Sequence, residues 1–133
     1  MNILYEAPGT EEYMALRKAA GLPAKEESTV LTAMNHSIFT VIAREDHSEL
    51  IGMGRIIGDG ACYYQIVDIA IRPSHQDNGI RDLLMKELMS YLEQNAPADA
   101  EVIIMADIPL IGLYQKFGFE FTYPKSISLS KRV

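Results

Sequence analysis

The chain of 133 residues has one cysteine, Cys62, and no excess of basic residues. A single cysteine forms no disulfide within the chain and excludes a metal site built from several thiolates, and we expect no metal cofactor. With 12 Lys and Arg against 18 Asp and Glu, the net charge is −6. This charge argues against nucleic acid as a partner, because such binding normally needs a basic surface. It is compatible with a cationic substrate such as an amine.

Long apolar runs are also absent. No run approaches the roughly 20 residues that a membrane helix requires. The first six residues lack the basic segment and the apolar stretch of a signal peptide. We therefore expect a cytoplasmic protein that does not bind membranes. Apolar residues make up 48% of the sequence, which argues against disorder, and the length fits one domain over residues 1–133.

The hydrophobic patterns predict an α+β domain with a mixed sheet. An antiparallel meander comes first, and a βαβ crossover through an amphipathic helix follows. The predicted helices begin at Thr10, Ser28, Ile80 and Leu110. The predicted strands are Ile3–Tyr5, Ser37–Arg44, Leu50–Ile57, Cys62–Ile71, Val102–Ala106, Phe119–Thr122 and Ser126–Ser130.

Two glycine-containing stretches are candidates for a phosphate site. Gly52, Gly54 and Gly58 have the wrong spacing for a dinucleotide fingerprint and no helix follows them, so they are better explained as glycines that relieve a crowded strand or a bulge. The stretch Gln76–Arg81 lies between a strand and the best helix of the chain. The N–H groups at a helix start lack partners within the helix and attract phosphate together with the helix dipole.

Residues 67–80, VDIAIRPSHQDNGI, resemble the acetyl-CoA motif of the GNAT N-acetyltransferases, L-A-V-x-P-x-x-Q/R-x-x-G-x-G/A. Residues 113–120, LYQKFGFE, resemble the second box of that family, F/L-Y-E-K-x-G-F. The order of predicted elements matches the family over nearly the whole chain. The resemblance implies the GNAT fold: a mostly antiparallel mixed sheet of six to seven strands, about four helices, and a splayed parallel strand pair at the cofactor site.

The resemblance also implies an acetyl-CoA site without a metal. Backbone groups of Ile69, Ala70 and Ile71 would bind the pantetheine arm, and Asp107 stands where many members have an asparagine that contacts it. The pyrophosphate would be held by backbone amides of the loop and helix start, at Gln76, Asp77, Asn78, Gly79, Ile80, Arg81 and Asp82. Arg81 replaces the small last residue of the motif, and its side chain could contact a phosphate or remain solvated.

Two side chains are candidates for the chemistry. Tyr114 matches the general acid of the family, which protonates the departing CoA thiolate. Without the resemblance, a tyrosine near Phe117 and Phe119 is more often a core residue. Asp68 is an acid inside an apolar strand, where an unpaired charge would be costly. It could bind the acceptor amine or guide a water to it, or it could be held by a structural hydrogen bond. Glu6, Tyr64 and Gln65 are further candidates for the first role.

The resulting expectation is acetyl transfer from acetyl-CoA to a primary amine, in a small metabolite, by direct attack in a ternary complex. Acetylation of a protein N-terminus or lysine is the alternative within the enzyme class. A degenerate module that binds acyl-CoA without turnover is the alternative outside it. The resemblance leaves a homodimer open, because relatives often form one.

Overall fold

The computed structural model describes residues 1–46, 48–76 and 78–133. Within these ranges there are one five-stranded sheet, ordered β1-β2-β3-β4-β5, and four α-helices. The strands are β1 (Asn2–Leu4), β2 (Phe39–Arg44), β3 (Leu50–Gly58), β4 (Tyr63–Ile71) and β5 (Glu101–Ile104). The helices are α1 (Thr10–Ala19), α2 (Glu27–Asn35), α3 (Ile80–Asn95) and α4 (Ile111–Gln115), and 3₁₀ turns cover Pro73–His75 and Ile108–Leu110.

The sheet combines an antiparallel meander with one parallel pair, as the sequence predicts. Strands β1 to β4 pair antiparallel, and β5 pairs parallel with β4. A parallel pair needs a crossover connection, which α3 supplies. The α+β class and the mixed sheet are therefore confirmed.

Helices cover both faces of the sheet, so neighbouring residues of a strand enter different cores. Val41 and Ala43 belong to the core that contains α3, whereas Ile42 between them belongs to the core under α1 and α2. This separation follows from the alternation of side chains along a strand. Strand β3 is buried over nearly its whole length, which explains a sequence in which Arg55 is the one charged residue.

Glycines 52 and 54 of β3 lie beneath α3. A Cβ atom at Gly54 would come within 2.9 Å of Leu88 Cδ1, and one at Gly52 within 3.1 Å of Ile80 Cγ2. Larger residues would therefore push α3 away from the sheet. The interpretation of these glycines as a packing device is confirmed.

The prediction of strands at Phe119–Thr122 and Ser126–Ser130 is wrong, and the described sheet has five strands instead of six to seven. Neither segment pairs with another strand, and residues 120–133, all of them described, are exposed. An alternating apolar pattern forms a strand only where another strand accepts its N–H and C=O groups. A groove separates these segments from β5, so that partner is missing within the chain.

The described helices include none that is long and apolar enough to cross a membrane.

Helix α1 begins directly after Gly9, whose N–H donates to Glu12 Oε1 at 2.8 Å. This interaction completes the first turn, where acidic residues are favourable.

Candidate functional site

Strands β4 and β5, the last pair of the described sheet, separate part-way along their length. Their pairing runs from Tyr63 and Glu101 to Ile66 and Ile104, where β5 ends, while β4 continues to Ile71. The carboxyl-terminal half of β4 therefore has β3 on one edge and an open cleft on the other. The expected splayed parallel pair is present.

A β-bulge marks the point of separation. Met53 pairs with Ala70 and Arg55 with Val67, so Asp68 and Ile69 together face Gly54. Asp68 adopts a left-handed conformation with φ 55°, which aspartate tolerates better than most residues. A bulge bends its strand and redirects side chains. Here it brings the Asp68 side chain to the cleft wall.

The cleft has a volume of about 160 Å³ and gathers several of the predicted site residues. Asp68, Ile69, Arg81, Asp107 and Tyr114 line it together with Leu22, Ile66, Val67, Ile104 and Met105. The other candidates for binding the amine, Glu6, Tyr64 and Gln65, do not line it. Tyr64 is instead a core residue that is 4% exposed.

The amino-terminal end of α3 carries the predicted phosphate site. The helical hydrogen-bond ladder begins where the Leu83 N–H donates to the Gly79 oxygen at 3.1 Å. The N–H groups of a first helical turn have no partner within the helix, and Gly79 has no side chain to cap them. Gly79 has φ 74°, a conformation that glycine adopts without strain. Residues Gly79, Ile80, Arg81 and Asp82 therefore present an anion-attracting end.

The backbone amides of the loop before α3 are less available for binding phosphate than the sequence predicts. The N–H of Asn78 donates to the His75 oxygen at 3.2 Å, and that of Gln76 donates to the Pro73 oxygen at 3.4 Å. These two amides are engaged in turns, so the predicted phosphate contacts concentrate on the helix start. Asp77, also predicted to contribute, lies outside the described residues.

The backbone of β4 offers a polar edge to the cleft. The Arg72 N–H donates to the Ile51 oxygen at 2.8 Å, on the β3 side. Because successive residues of a strand turn their N–H groups to opposite edges, Ala70 also faces β3 and Ile71 faces away from it. This register favours Ile71 over Ala70 as a backbone partner for a molecule in the cleft, while Ile69 contributes to the lining.

A buried charge cluster holds Asp68, and it is the feature that the sequence interpretation missed. Arg17 Nη1 lies 2.6 Å from Asp68 Oδ1, and Arg55 Nε lies 2.9 Å from Oδ2. The Tyr13 hydroxyl donates to Oδ2 at 2.5 Å. Arg17 and Arg55 are 8% and 9% exposed. The one available signal was Arg17 itself, which stands within the apolar stripe of α1.

The cluster joins three elements and has more positive than negative charge. Arg17 also binds the Pro23 oxygen through Nε and Nη2, at 3.1 and 2.9 Å, and so fixes the chain that follows α1. Burial, followed by the hydrogen bond to Asp68, raises the pKa of Tyr13 above its ordinary value of 10.0, so that its hydroxyl remains a donor. These contacts support the structural alternative for Asp68.

Tyr114 and Asp107 lie on the β5 side of the cleft. Tyr114 is 5% exposed and belongs to α4, at the edge of the main core. Tyr114 lines the cleft. The backbone oxygen of Asp107 accepts a hydrogen bond from the Leu110 N–H at 2.8 Å, and this bond starts the turn that leads into α4. The described residues contain no group of three or more His, Cys, Asp or Glu side chains placed to hold a metal.

A comparison with known protein families agrees with this geometry. A family model described as an acetyltransferase (GNAT) domain matches residues 18–128. The chain belongs to the GNAT acetyltransferase family.

Solved GNAT structures share the whole fold. A probable acetyltransferase of unknown function from methicillin-resistant Staphylococcus aureus is 37% identical, with a TM-score of 0.92 over 99% of this chain and 98% of its own. A GNAT family acetyltransferase from Streptococcus pneumoniae is 23% identical, with a TM-score of 0.80 over 99% and 96%. A GNAT acetyltransferase from Brucella melitensis, solved with acetyl-CoA, is 21% identical, with a TM-score of 0.67 over 90% and 82%.

Proposed function

We propose that this GNAT protein transfers the acetyl group of acetyl-CoA to a primary amine of a small metabolite, in a ternary complex, and that residues 1–133 act as one acetyltransferase domain. The observation that carries the proposal is the cleft between β4 and β5, which has the start of α3 beside it and Tyr114 in its wall. The related fold from Brucella melitensis was solved with acetyl-CoA, which supports this choice of donor.

The residues present fit such a donor. The cleft walls Ile66, Ile69 and Ile104 are apolar, as suits an alkyl arm, and the unpaired edge of β4 supplies backbone groups for its amides. The start of α3 suits a pyrophosphate. Arg81 lines the cleft, which supports a contact between its guanidinium and a phosphate. Acetyl-CoA would supply the acetyl group and depart as its thiol.

Tyr114 is assigned the general acid role. The amine nitrogen would bond to the carbonyl carbon and release a proton to a water in the cleft. As the C–S bond breaks, the Tyr114 hydroxyl would donate a proton to the departing sulfur. Asp107, at the other end of the same wall, would accept a hydrogen bond from an amide of the arm, since an ionised carboxylate has no donor.

Asp68 is assigned a role in positioning the acceptor. An ionised carboxylate accepts about four hydrogen bonds, and Tyr13, Arg17 and Arg55 already use three sites. The remaining site, on Oδ1, could receive an ammonium group or a bound water at the cleft.

The test combines a thiol-release assay over a panel of small amines with thermal unfolding in the presence of CoA. Tyr114→Phe should lower kcat by about 100-fold, the scale of general acid catalysis, and should keep CoA-induced stabilisation. Tyr63→Phe is the matched control, because Tyr63 is 60% exposed and lies outside the cleft.

Other results would support other functions. Full activity of Tyr114→Phe would remove the acid role from Tyr114. CoA binding without turnover of any amine or lysine peptide would leave an acyl-CoA-binding module, and turnover of peptides alone would indicate a protein acetyltransferase. At 100 times the Kd, a ligand stabilises a protein by about 2.7 kcal/mol, so the absence of any shift with CoA would contradict the donor site.

A further inference from the structure

Arg17 of α1 is buried, and its guanidinium group binds two different parts of the chain. Nη1 lies 2.6 Å from Asp68 Oδ1, and Nε and Nη2 donate to the Pro23 oxygen at 3.1 and 2.9 Å. The residue is 8% exposed. Arginine is almost never buried to this extent unless it is paired. The reason for burying Arg17 must therefore lie in these contacts.

The buried charge cluster has one cation more than Asp68 needs. Arg55 also binds the carboxylate, with Nε 2.9 Å from Oδ2, so Asp68 is paired even without Arg17. Among the described residues, Asp68 is the one acidic group that forms an ion pair with either arginine. Taking a second guanidinium out of water costs free energy, and a single carboxylate offsets that cost incompletely. The surplus arginine indicates a role beyond the stability of the cluster.

The two arginines contact different oxygens of Asp68. Arg55 binds Oδ2, which the Tyr13 hydroxyl also contacts, and its Nη1 donates to Ser37 Oγ at 2.9 Å. Arg17 binds Oδ1, and it is the one described side chain that does so. Oδ1 is also the oxygen that is proposed to receive the acceptor amine. Arg17 therefore determines from which direction a group in the cleft can approach that oxygen.

Arg17 also holds the part of the cleft wall that follows α1. Its backbone oxygen accepts a hydrogen bond from the Leu22 N–H at 2.9 Å, and its guanidinium binds the oxygen of Pro23, the next residue. Leu22 lines the cleft together with Asp68. Arg17 thus connects the carboxylate to an apolar wall, and a planar guanidinium fixes such an arrangement better than a flexible ammonium group does.

We propose that Arg17 is a positioning residue for the acceptor amine, because it orients Asp68 Oδ1 and holds Leu22 beside it. The inference rests on the proposed acetyltransferase function and adds to it a residue that does not itself line the cleft. Since Arg17 acts through its neighbours on the acceptor side, its loss weakens binding of the amine. Binding of CoA is unaffected, because the start of α3 is not among the contacts of Arg17.

Steady-state kinetics of Arg17→Met test the proposal, with a panel of small amines that includes ethanolamine, putrescine and glycinamide. Methionine has no charge, and Asp68 keeps Arg55 and Tyr13 as partners. The KM for the amines that the wild type acetylates should rise on the order of 10-fold, the scale of one charge-assisted contact. The kcat at saturating amine should change less than about 3-fold, as expected for a loss of binding alone. Stabilisation by CoA should remain.

Arg44→Met is the matched control. Arg44 pairs with Glu12 of the same helix α1 and lies outside the cleft, so this variant should leave the KM for the amine unchanged. Arg17→Lys keeps the positive charge and loses the planar fork, and it should also raise the KM. This variant provides the measurement if Arg17→Met does not fold. Far-UV circular dichroism establishes that each variant is folded.

A purely structural role for Arg17 predicts the opposite result, a loss of stability with an unchanged KM for the amine. That result, or an equal rise of the KM in Arg44→Met, would overturn the proposal and leave the acetyltransferase function in place. In urea unfolding, Arg17→Met should lose less stability than Asp68→Asn, because it leaves one cation paired with one carboxylate. Absence of thiol release from the wild type with every amine of the panel would instead contradict the proposed function, and this inference with it.

Discussion

At the level of single residues, Asp68 combines an unusual backbone conformation with a buried charge that has three side-chain partners. It stands in a left-handed bulge of a buried strand, and it bonds two arginines and a tyrosine. The energy of the cluster depends on all partners being present, since a buried charge that loses its partner is costly. The same residue also bends β4 at the point where the cleft opens.

Asp68→Asn should therefore destabilise the fold strongly. It leaves Arg17 and Arg55 buried without a counter-charge, and we expect the free energy of unfolding to fall by about 3 kcal/mol, measured by urea unfolding. Asp82→Asn is the matched control, because Asp82 pairs with Lys86 on the surface at 3.1 Å and such a pair contributes less than about 0.5 kcal/mol. Equal losses for the two variants would contradict a special role for the buried cluster.

Glu12 makes the stability of α1 depend on pH. Its hydrogen bonds to Arg44, at 2.5 and 2.8 Å, are the main reason that its pKa lies below the ordinary value of 4.5, and the Gly9 N–H adds to the effect. Because the folded pKa is lowered, this contribution is present above pH 4.5 and is lost as pH falls through the folded pKa.

Glu12→Gln should lower the free energy of unfolding by about 1 kcal/mol at neutral pH. The gap between the wild type and the variant should narrow as the pH is taken below 4.5, in denaturant titrations across that range. Glu11→Gln, an exposed change in the same helical turn, should leave the pH dependence of the free energy of unfolding unchanged. A gap that stayed constant with pH would show that the Glu12 charge is not the source.

At the level of elements, α3 connects the core to the proposed phosphate site. Its buried face packs on β3 over Gly52 and Gly54, and Ile80, the first residue of the helix, lies against Gly52. Gly79 turns the chain into the helix with a positive φ. The position of the helix start beside the cleft therefore depends on residues far from it in sequence.

Gly79→Ala should weaken CoA binding beyond its effect on stability. The added methyl meets nothing within 4 Å, so its cost to folding comes from φ 74° and should be about 1 kcal/mol. Gly60→Ala is a matched control in the β3–β4 turn, with φ 77° and the same open surroundings. Both variants should unfold at similar denaturant concentrations, and calorimetry should show weaker CoA binding for Gly79→Ala alone. Unchanged affinity would argue against a close approach of phosphate at Gly79.

At the level of the whole molecule, one sheet serves two surfaces. On one side of β5 the strands diverge into the cleft, and on its other side lies a groove of about 600 Å³. Ile104, Met105 and Tyr114 line both of them.

Sequence alone determined the class of the fold and the position of the cleft in the chain. The meander, the crossover helix and the glycines of β3 follow from local patterns, because alternation, helical spacing and crowding are properties of neighbouring residues. The loop that is predicted to bind pyrophosphate follows from the same local patterns, which do not show that the amides of Gln76 and Asn78 are engaged in turns.

Tertiary structure alone decided how distant residues combine. Arg17, Arg55 and Asp68 are far apart in sequence, and only the packing of α1 on β3 and β4 brings their charges together. The alternating pattern of residues 126–130 was sufficient to suggest a strand but not to supply its partner. Whether such a segment pairs depends on which edge lies beside it, and that is a property of the folded molecule.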